Sequence, residues 1–335
     1  MFLPETAPKL IKPCGSPAAK VAIVGDFPNR FDLRSMQPFS GPAGTVLEQC
    51  FHSAGFIKSD LYLTNVFKIV PDYVGAFYQE YKKQILPEAL PHVQAFYEEI
   101  NSLDVNVIIA CGPMASQILC GTANINTYRG YVFRAVDKIT SCNKIIPTLP
   151  PGDTIRGNYL GRYLISHDLQ KAKIEASTKS LIVPDRKLAY TFNSLSEVMD
   201  WIDYFRGEPI VSFDIEVTHY ELASIAFSSN ANLACSIPLD ERWSVEEEAI
   251  IYRGIQSILG NKHTIKVGQN LIFDIQFLLT RCGIVVDGPI YDTMIAHSIM
   301  YPELKKGLGF LGSIYLGNQP YWKDMVKFNN IKDES

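Results

Sequence analysis

Short apolar segments alternate with segments of helical periodicity in the first half of the chain. Apolar runs of about four to eight residues are typical of buried strands, whereas apolar positions one helical turn apart are typical of helices. The pattern predicts strands at residues 21–26, 61–66, 105–112 and 144–148. It predicts helices at residues 45–54 and 161–173, and a helical pattern within residues 73–100. Strands separated by helices indicate an α/β fold with a parallel central sheet.

The second half begins with a capped helix, because Ser194 and Glu197 have the spacing of a capping box before an apolar pattern. The elements predicted from there are a helix at 194–205, strands at 210–217, 224–227 and 233–237, a helix at 244–259 and a strand at 264–268 that turns into another helix. Three neighbouring strands followed by strand-helix alternation predict a mixed sheet.

The domain boundaries are expected where the pattern is interrupted. A chain of 335 residues predicts two domains of about 150 residues each. Residues 1–19 are rich in proline and aperiodic, which predicts a flexible lead-in. We expect a first domain at residues 20–175, a linker at 176–182 and a second domain at 183–335.

Composition narrows the class of protein. No apolar run approaches the ~18 residues of a membrane span, and the N-terminus lacks the pattern of a signal peptide, so a cytoplasmic protein is expected. The seven cysteines are scattered without a Cys-x-x-Cys pair, which predicts reduced thiols and neither zinc nor an iron–sulfur cluster. Residues 1–178 carry 17 Lys+Arg against 15 Asp+Glu, and the remainder 14 against 20. The acidic second half argues against tight, nonspecific duplex binding by that half alone.

Two carboxylates interrupt the apolar strand at residues 210–217. Asp214 and Glu216 are two positions apart, so their side chains point to the same face of the strand. Paired carboxylates in a core segment are costly unless a cation lies between them, because each loses water and repels the other. The pattern therefore predicts a metal site.

Two further motifs follow at the expected spacing. Asn270 and Asp274 are predicted on one face of the helix after strand 264–268, and Asp292 begins another helical segment. Together with Asp214 and Glu216, these motifs resemble the 3′-5′ proofreading exonucleases of the DEDD superfamily.

That resemblance implies a ribonuclease H-like fold and a site for two divalent cations. It implies that Asp214, Glu216 and Asp274 are both the catalytic residues and the metal ligands, with Asn270 and Asp292 in supporting roles. Ligands that are all oxygen favour Mg²⁺ or Mn²⁺. The implied substrate is single-stranded DNA or the 3′ end of a primer.

Loop motifs of the first domain carry a second resemblance. They lie at residues 25–28, 37–44, 64–68 and 128–130 and read GDFP, QPFSGPAG, TNVFK and YRG. They resemble the family 4 branch of the uracil-DNA glycosylase superfamily. The resemblance implies a base pocket in which Asp26 takes the place of a glutamate that assists base excision, Phe39 stacks on a flipped base and Asn65 reads the edge of that base.

The first domain also departs from that family. Pro150 stands where the family has the histidine that stabilises the departing base, and the four cluster-binding cysteines have no counterparts. A glycosylase-like DNA-binding domain without activity is therefore expected, and an active uracil-DNA glycosylase is the alternative.

The last exonuclease motif, a Tyr or His four residues before an Asp, is not found, and Asp324 is preceded at that spacing by Pro320. Residues 302–311 and 320–324 resemble the segment before that motif in bacteriophage family A DNA polymerases. The chain is therefore interpreted as the N-terminal region of such a polymerase, acting in DNA replication in the cytoplasm of a bacterial host. The implied partner is a downstream polymerase polypeptide, in cis or in trans. The alternative is a noncatalytic DNA-binding or scaffolding subunit of a split polymerase.

Overall fold

The computed structural model describes residues 9–316 apart from residues 73, 74, 76, 80–83, 184, 186 and 190. These residues form two compact units. The first unit contains the residues up to Ile182 and, after a long interval, those from Gly309 onward, whereas the second unit is Val183–Leu308. The end of the second unit differs from the expected domain at 183–335, because the chain returns to the first unit at Gly309.

The first unit is built on a sheet in the order β1-β3-β2-β6-β8-β7. Its strands are β1 Cys14–Gly15, β2 Val21–Gly25, β3 Leu61–Asn65, β6 Val107–Cys111, β7 Phe133–Arg134 and β8 Lys144–Thr148. The four central strands are parallel, and β1 and β7 are antiparallel edges. A separate hairpin pairs β4 Tyr78–Gln79 with β5 Gln84–Ile85.

Helices cover both faces of this sheet, so the first unit has three layers. The helices are α1 Arg30–Ser35, α2 Gly41–Ser53, α3 Leu90–Asn101, α4 Pro113–Cys120, α5 Ile125–Tyr128 and α6 Gly161–Glu175. Successive residues of β2 belong to different cores: Ala22 and Val24 pack in one cluster, and Val21 and Ile23 in the other. Burial on both faces explains why the central strands are continuous apolar runs.

The second unit contains a mixed sheet in the order β14-β13-β10-β11-β12-β9. The strands are β9 Lys187–Ala189, β10 Ile210–Thr218, β11 Glu221–Asn230, β12 Leu233–Pro238, β13 Ile265–Gly268 and β14 Ile290–Asp292. Strands β10, β11 and β12 form an antiparallel meander, and β13 and β14 continue the sheet in parallel with β10. This α/β arrangement confirms the predicted mixed sheet.

The helices of the second unit begin where the sequence signals predict. They are α7 Leu195–Arg206, α8 Val245–Leu259, α9 Leu271–Cys282 and α10 Thr293–Met300; the last described helix, α11 Leu308–Tyr315, leads back to the first unit. Ser194 accepts a hydrogen bond from the Glu197 amide before α7, and Ser244 caps α8 in the same way. Across the described residues, none of the helices is long and apolar enough to cross a membrane.

Two sequence predictions for the first unit are wrong. The lead-in is packed from residue 9 onward at least in part, because Ile11 is buried, its amide bonds to the Lys68 carbonyl, and β1 pairs with β3. Among the described residues of 73–100, the α-helical segment is α3, and the strand pair β4–β5 precedes it. Pro87 and Pro91 explain this limit, since proline is tolerated only in the first turn of a helix.

Each unit contains a lysine that is fully buried. Lys144 donates hydrogen bonds to the carbonyl oxygens of Glu175 and Thr178 at 2.5 and 2.6 Å, beyond the C-terminal end of α6. Lys266 donates to the carbonyl oxygens of Asn261 and Asp287. Both buried ammonium groups thus have backbone carbonyl oxygens as hydrogen-bond partners.

Candidate functional site

Asp214 and Glu216 lie on the outward face of β10. The strand alternates strictly there, since Phe213 and Ile215 are buried while Asp214 and Glu216 are exposed. The expectation that the two carboxylates sit in a core segment is therefore wrong. Their shared face is confirmed by the alternation, but both side chains are exposed, so desolvation gives no argument for a cation between them.

Asp274 is the buried carboxylate of this region. It lies in the first turn of α9 with an exposed fraction of 4%, and its Oδ1 accepts a hydrogen bond of 3.1 Å from the Ile215 amide. Burial raises the pKa of Asp274 to about 6; the Ile215 amide opposes the shift, and the charge of Asp214 adds to it. The hydrogen bond fixes Asp274 to the β10 residue that separates Asp214 from Glu216.

The sequence predicted Asn270 and Asp274 on one face of a helix. In the structure, Asn270 precedes the helix that carries Asp274. It is the N-cap of α9 and has a left-handed backbone, with φ of 58°. Asparagine tolerates this conformation better than most residues. The residue therefore sets the turn from β13 into α9, which is the turn that delivers Asp274 to β10.

Asp292 joins the starts of two helices. Its carboxylate caps α10 through the amides of Met294 and Ile295, and it also accepts from the amides of Asn270 and Leu271, at distances of 2.8 to 3.3 Å for the four bonds. A carboxylate at two helix N-termini is stabilised by both helix dipoles. These contacts hold α9, and with it Asp274, against the end of β14.

The chemistry of these side chains fits a hard cation, but they do not form a closed cage. Carboxylate oxygens are the ligands that Mg²⁺ and Mn²⁺ prefer. Among residues 9–316, with the gaps given above, no three His, Cys, Asp or Glu side chains are close enough together to hold a metal ion. Asp324, considered as a substitute for the last motif, lies outside the described residues.

The structure brings together the residues of the glycosylase-like pocket in the first unit. Gly25 ends β2, and a side chain there would meet the Phe39 ring at 2.9 Å and the Asn65 amide oxygen even closer. Asn65 is buried, and Phe39 has a left-handed backbone with φ of 54°. Sequence reasoning missed the role of Gly25, although a glycine at the end of a buried strand signals close approach of other groups.

Asp26 points to the start of α4. Its Oδ1 accepts a hydrogen bond of 2.7 Å from the Ala115 amide, and Gly112 leaves room for the carboxylate, since a side chain there would lie 2.5 Å from it. Burial raises the pKa of Asp26 to about 7, opposed by the amides of Ala115 and Met114. The carboxyl group is therefore held by a helix N-terminus and is half protonated near neutral pH.

Two further sequence predictions concern the loop after β8 and the cysteines of the chain. Pro150 follows the end of β8 and precedes a 3₁₀ turn at Pro151–Thr154, so this loop contains no imidazole. The seven cysteines are free thiols.

Comparison with known proteins assigns both units to families. Residues 13–166 match the model of the uracil DNA glycosylase superfamily, and residues 190–330 match a model described as 3'-5' exonuclease. The chain thus carries a uracil-DNA glycosylase superfamily domain followed by a 3'-5' exonuclease domain, as the motifs predicted.

A relative covers both domains. The DNA polymerase of Bacillus phage SP01 is 21% identical over an alignment 331 residues long. This alignment covers 89% of this chain and 34% of the polymerase. The chain thus spans about a third of that relative. The type-4 uracil-DNA glycosylase of Archaeoglobus fulgidus is 26% identical over 118 residues, 35% of this chain and 55% of the relative.

Solved structures resemble part of the chain. Escherichia coli RNase D has 15% sequence identity and a TM-score of 0.31, over 40% of this chain and 34% of that one. The EXO domain of Aedes aegypti Nibbler has 11% identity and a TM-score of 0.32, over 38% of this chain and 68% of that one. Likenesses of this size do not establish a shared substrate.

Proposed function

We propose that the second unit is a metal-dependent 3′-5′ exonuclease that removes nucleotides from single-stranded DNA or a primer 3′ end, in the N-terminal region of a phage-type DNA polymerase. The observation that carries the proposal is the hydrogen bond from the Ile215 amide to Asp274, which fixes a buried carboxylate to the strand residue that stands between Asp214 and Glu216 in the sequence. The exonuclease family match supports it.

Asp214, Glu216 and Asp274 would hold Mg²⁺ or Mn²⁺. A pair of such cations would supply an activated water and charge stabilisation for the leaving 3′ oxygen. The chain's own contribution is to position the carboxylates. Asp214 and Glu216 are exposed to the solvent from which DNA would approach, and the Ile215 amide holds Asp274 through its hydrogen bond. Asn270 and Asp292 would support the site by setting the start of α9.

Asp274 also gives the site a pH response. A carboxylate must lose its proton before it binds a cation. With a pKa of about 6, Asp274 is mostly protonated below that pH when no cation is bound. Cation binding should therefore strengthen as the pH rises from about 5 to about 7.

For the first unit we propose DNA binding without base excision. Phe39 and Asn65 lie together beside Gly25, which supports an aromatic platform with an amide at its edge. The loop at Pro150 lacks the histidine of the family. An active glycosylase is the competing function, favoured by Asp26, whose pKa of about 7 suits an acid or base.

The role in replication rests on the phage relative. A polymerase polypeptide downstream, in cis or in trans, is the proposed partner, and the cytoplasm of a bacterial host is the proposed location. The alternative function is a noncatalytic scaffolding subunit, for which Asp214, Glu216 and Asp274 would not be required.

The test measures degradation of 5′-labelled single-stranded DNA by the full chain together with its downstream polypeptide, with Mg²⁺ or with EDTA. Asp214→Ala and Asp274→Ala should each abolish the Mg²⁺-dependent reaction. Asp203→Asn is the matched control, since Asp203 is an exposed carboxylate of α7 that pairs only with Arg206 among the contacts described. Wild-type turnover in either alanine variant would show that the metal-site assignment is wrong.

A further inference from the structure

Helix α11 is bound to the first unit by polar contacts as well as apolar ones. Arg129 and Asp168, which are 2% and 0% exposed, form a buried ion pair, and Thr148 donates a hydrogen bond of 2.6 Å to the same carboxylate. Arg129 also donates to the Ser313 hydroxyl at 3.1 Å and lies 5.9 Å from the centre of the Phe310 ring. A residue of α11 therefore completes the hydrogen bonds of a buried guanidinium, which is costly to leave unsatisfied.

A second cation holds the end of the helix. Lys171 donates to the carbonyl oxygens of Ser313 and Leu316, at 2.8 Å for Leu316, and to that of Gly130 at 2.7 Å. The last carbonyl groups of a helix have no partner within it, and a cation near them is favourable. Lys171 therefore acts as the C-terminal cap of α11, although it belongs to α6.

Two glycines allow the close approach. Gly130 has φ of 77°, and a side chain there would lie 2.6 Å from the Ser313 carbonyl oxygen and 2.6 Å from Asp168. On the helix, a side chain at Gly312 would lie 2.8 Å from the hydroxyl of Tyr131, which is itself buried and donates to the Gly309 carbonyl. The fit is thus complementary on both sides, and neither surface has room for an added methyl group.

We propose that residues 309–316 are a docking segment and that the glycosylase-like unit is its receptor. The receptor recognises a helix that presents Gly312 and the buried hydroxyl of Ser313, together with its C-terminal carbonyl oxygens, through the Arg129–Asp168 pair and Lys171. In the sequence, the exonuclease unit, Val183–Leu308, is therefore an insertion between two segments of the first unit. This role for the first unit requires neither base excision nor DNA binding, so it is independent of the proposed function.

Hydrogen exchange of the full chain, followed by mass spectrometry, tests the proposal. An isolated helix as short as α11 is unstable in water, so slow exchange of residues 311–316 requires docking. Gly312→Leu places a side chain against Tyr131, and Lys171→Met removes the cap. Each should speed exchange of this segment at least tenfold and leave exchange of the β10 and β11 amides unchanged. Gly307→Leu is the control, because a side chain there meets nothing within 4 Å, and it should behave as wild type.

Three results would overturn the proposal. The first is exchange of residues 311–316 in the wild-type protein at the rate of an unfolded peptide. The second is unchanged slow exchange in Gly312→Leu. The third is faster exchange in Gly312→Leu but not in Lys171→Met, because the segment would then be held by something other than the first unit's polar contacts. Circular dichroism of each variant checks that its secondary structure is retained.

Discussion

The loss of the Asp292 carboxylate should loosen the exonuclease unit and its site together. In Asp292→Ala the amides of Asn270, Leu271, Met294 and Ile295 lose their acceptor. Removal of a helix N-cap costs about 0.5–2 kcal/mol, and the bonds to the second helix start are worth a similar amount. Asp292 is half-buried, so water replaces part of the loss, and we expect the free energy of unfolding to fall by about 1–3 kcal/mol.

Tryptophan fluorescence during urea unfolding can report this unit selectively. Trp201 and Trp243 both lie in the second unit. Trp322 lies outside the described residues, so the substitution Trp322→Phe is introduced into the reference protein and into each variant. With a urea dependence of about 2 kcal/mol per molar, the expected loss lowers the unfolding midpoint by about 0.5–1.5 M. Exonuclease turnover should fall as well, since Asp274 lies on the helix that Asp292 holds.

Asp287→Ala is the matched control for this prediction. Asp287 lies in the same unit, but its carboxylate accepts only from the Gly288 amide and lies 3.7 Å from the exposed Lys262 among the contacts described. Such a surface pair is worth at most about 1 kcal/mol. If Asp292→Ala lowered the midpoint no more than Asp287→Ala, Asp292 would not be the residue that joins the two helix starts.

Three further predictions follow from the two sites. The full chain should release no uracil from a uracil-containing oligonucleotide, yet bind single-stranded DNA, and Phe39→Ala should weaken binding by about 1–3 kcal/mol in a fluorescence anisotropy titration; accumulating abasic sites or unchanged affinity would contradict this. The chain alone should be a poor exonuclease, and the downstream polypeptide should raise its initial rate by orders of magnitude; full activity of the isolated chain that disappears in Asp324→Ala would contradict this. Finally, burial raises the pKa of Asp26 from 3.8 to about 7. Between these pH values the folded first unit holds a proton that the unfolded chain releases. The free energy of unfolding of this unit should therefore fall between about pH 4 and pH 7, by at most ~4 kcal/mol. Asp26→Asn should flatten that slope in hydrogen exchange of α4, whereas Asp137→Asn, on an exposed residue, should keep it.

The sequence predicted the elements that are buried on both faces or capped. Strands β2 and β6 are continuous apolar runs, and α7 and α8 begin with serine caps. The edge strands β1, β7 and β9 were missed, because two or three residues cannot display a period.

For the candidate sites, the sequence indicated which residues to consider but not their environments. Period alone put Asp214 and Glu216 on one face, but it could not tell whether that face was covered. The place of Asn270 outside the helix depends on a left-handed backbone, which helical spacing does not reveal. The hydrogen bond between Arg129 and Ser313 links residues 184 positions apart in the sequence, and no local pattern encodes such a contact.

The two buried lysines make each unit a reporter of its own opening. Amine-reactive reagents modify lysines that water reaches, and Lys144 and Lys266 are reached only when the loops around them come apart. Under conditions where the protein stays folded, the labelling rate of Lys144 would time the opening of the glycosylase-like unit, and that of Lys266 the opening of the exonuclease unit. One labelling experiment on one chain would thus measure the opening rates of both units separately, without any engineered probe.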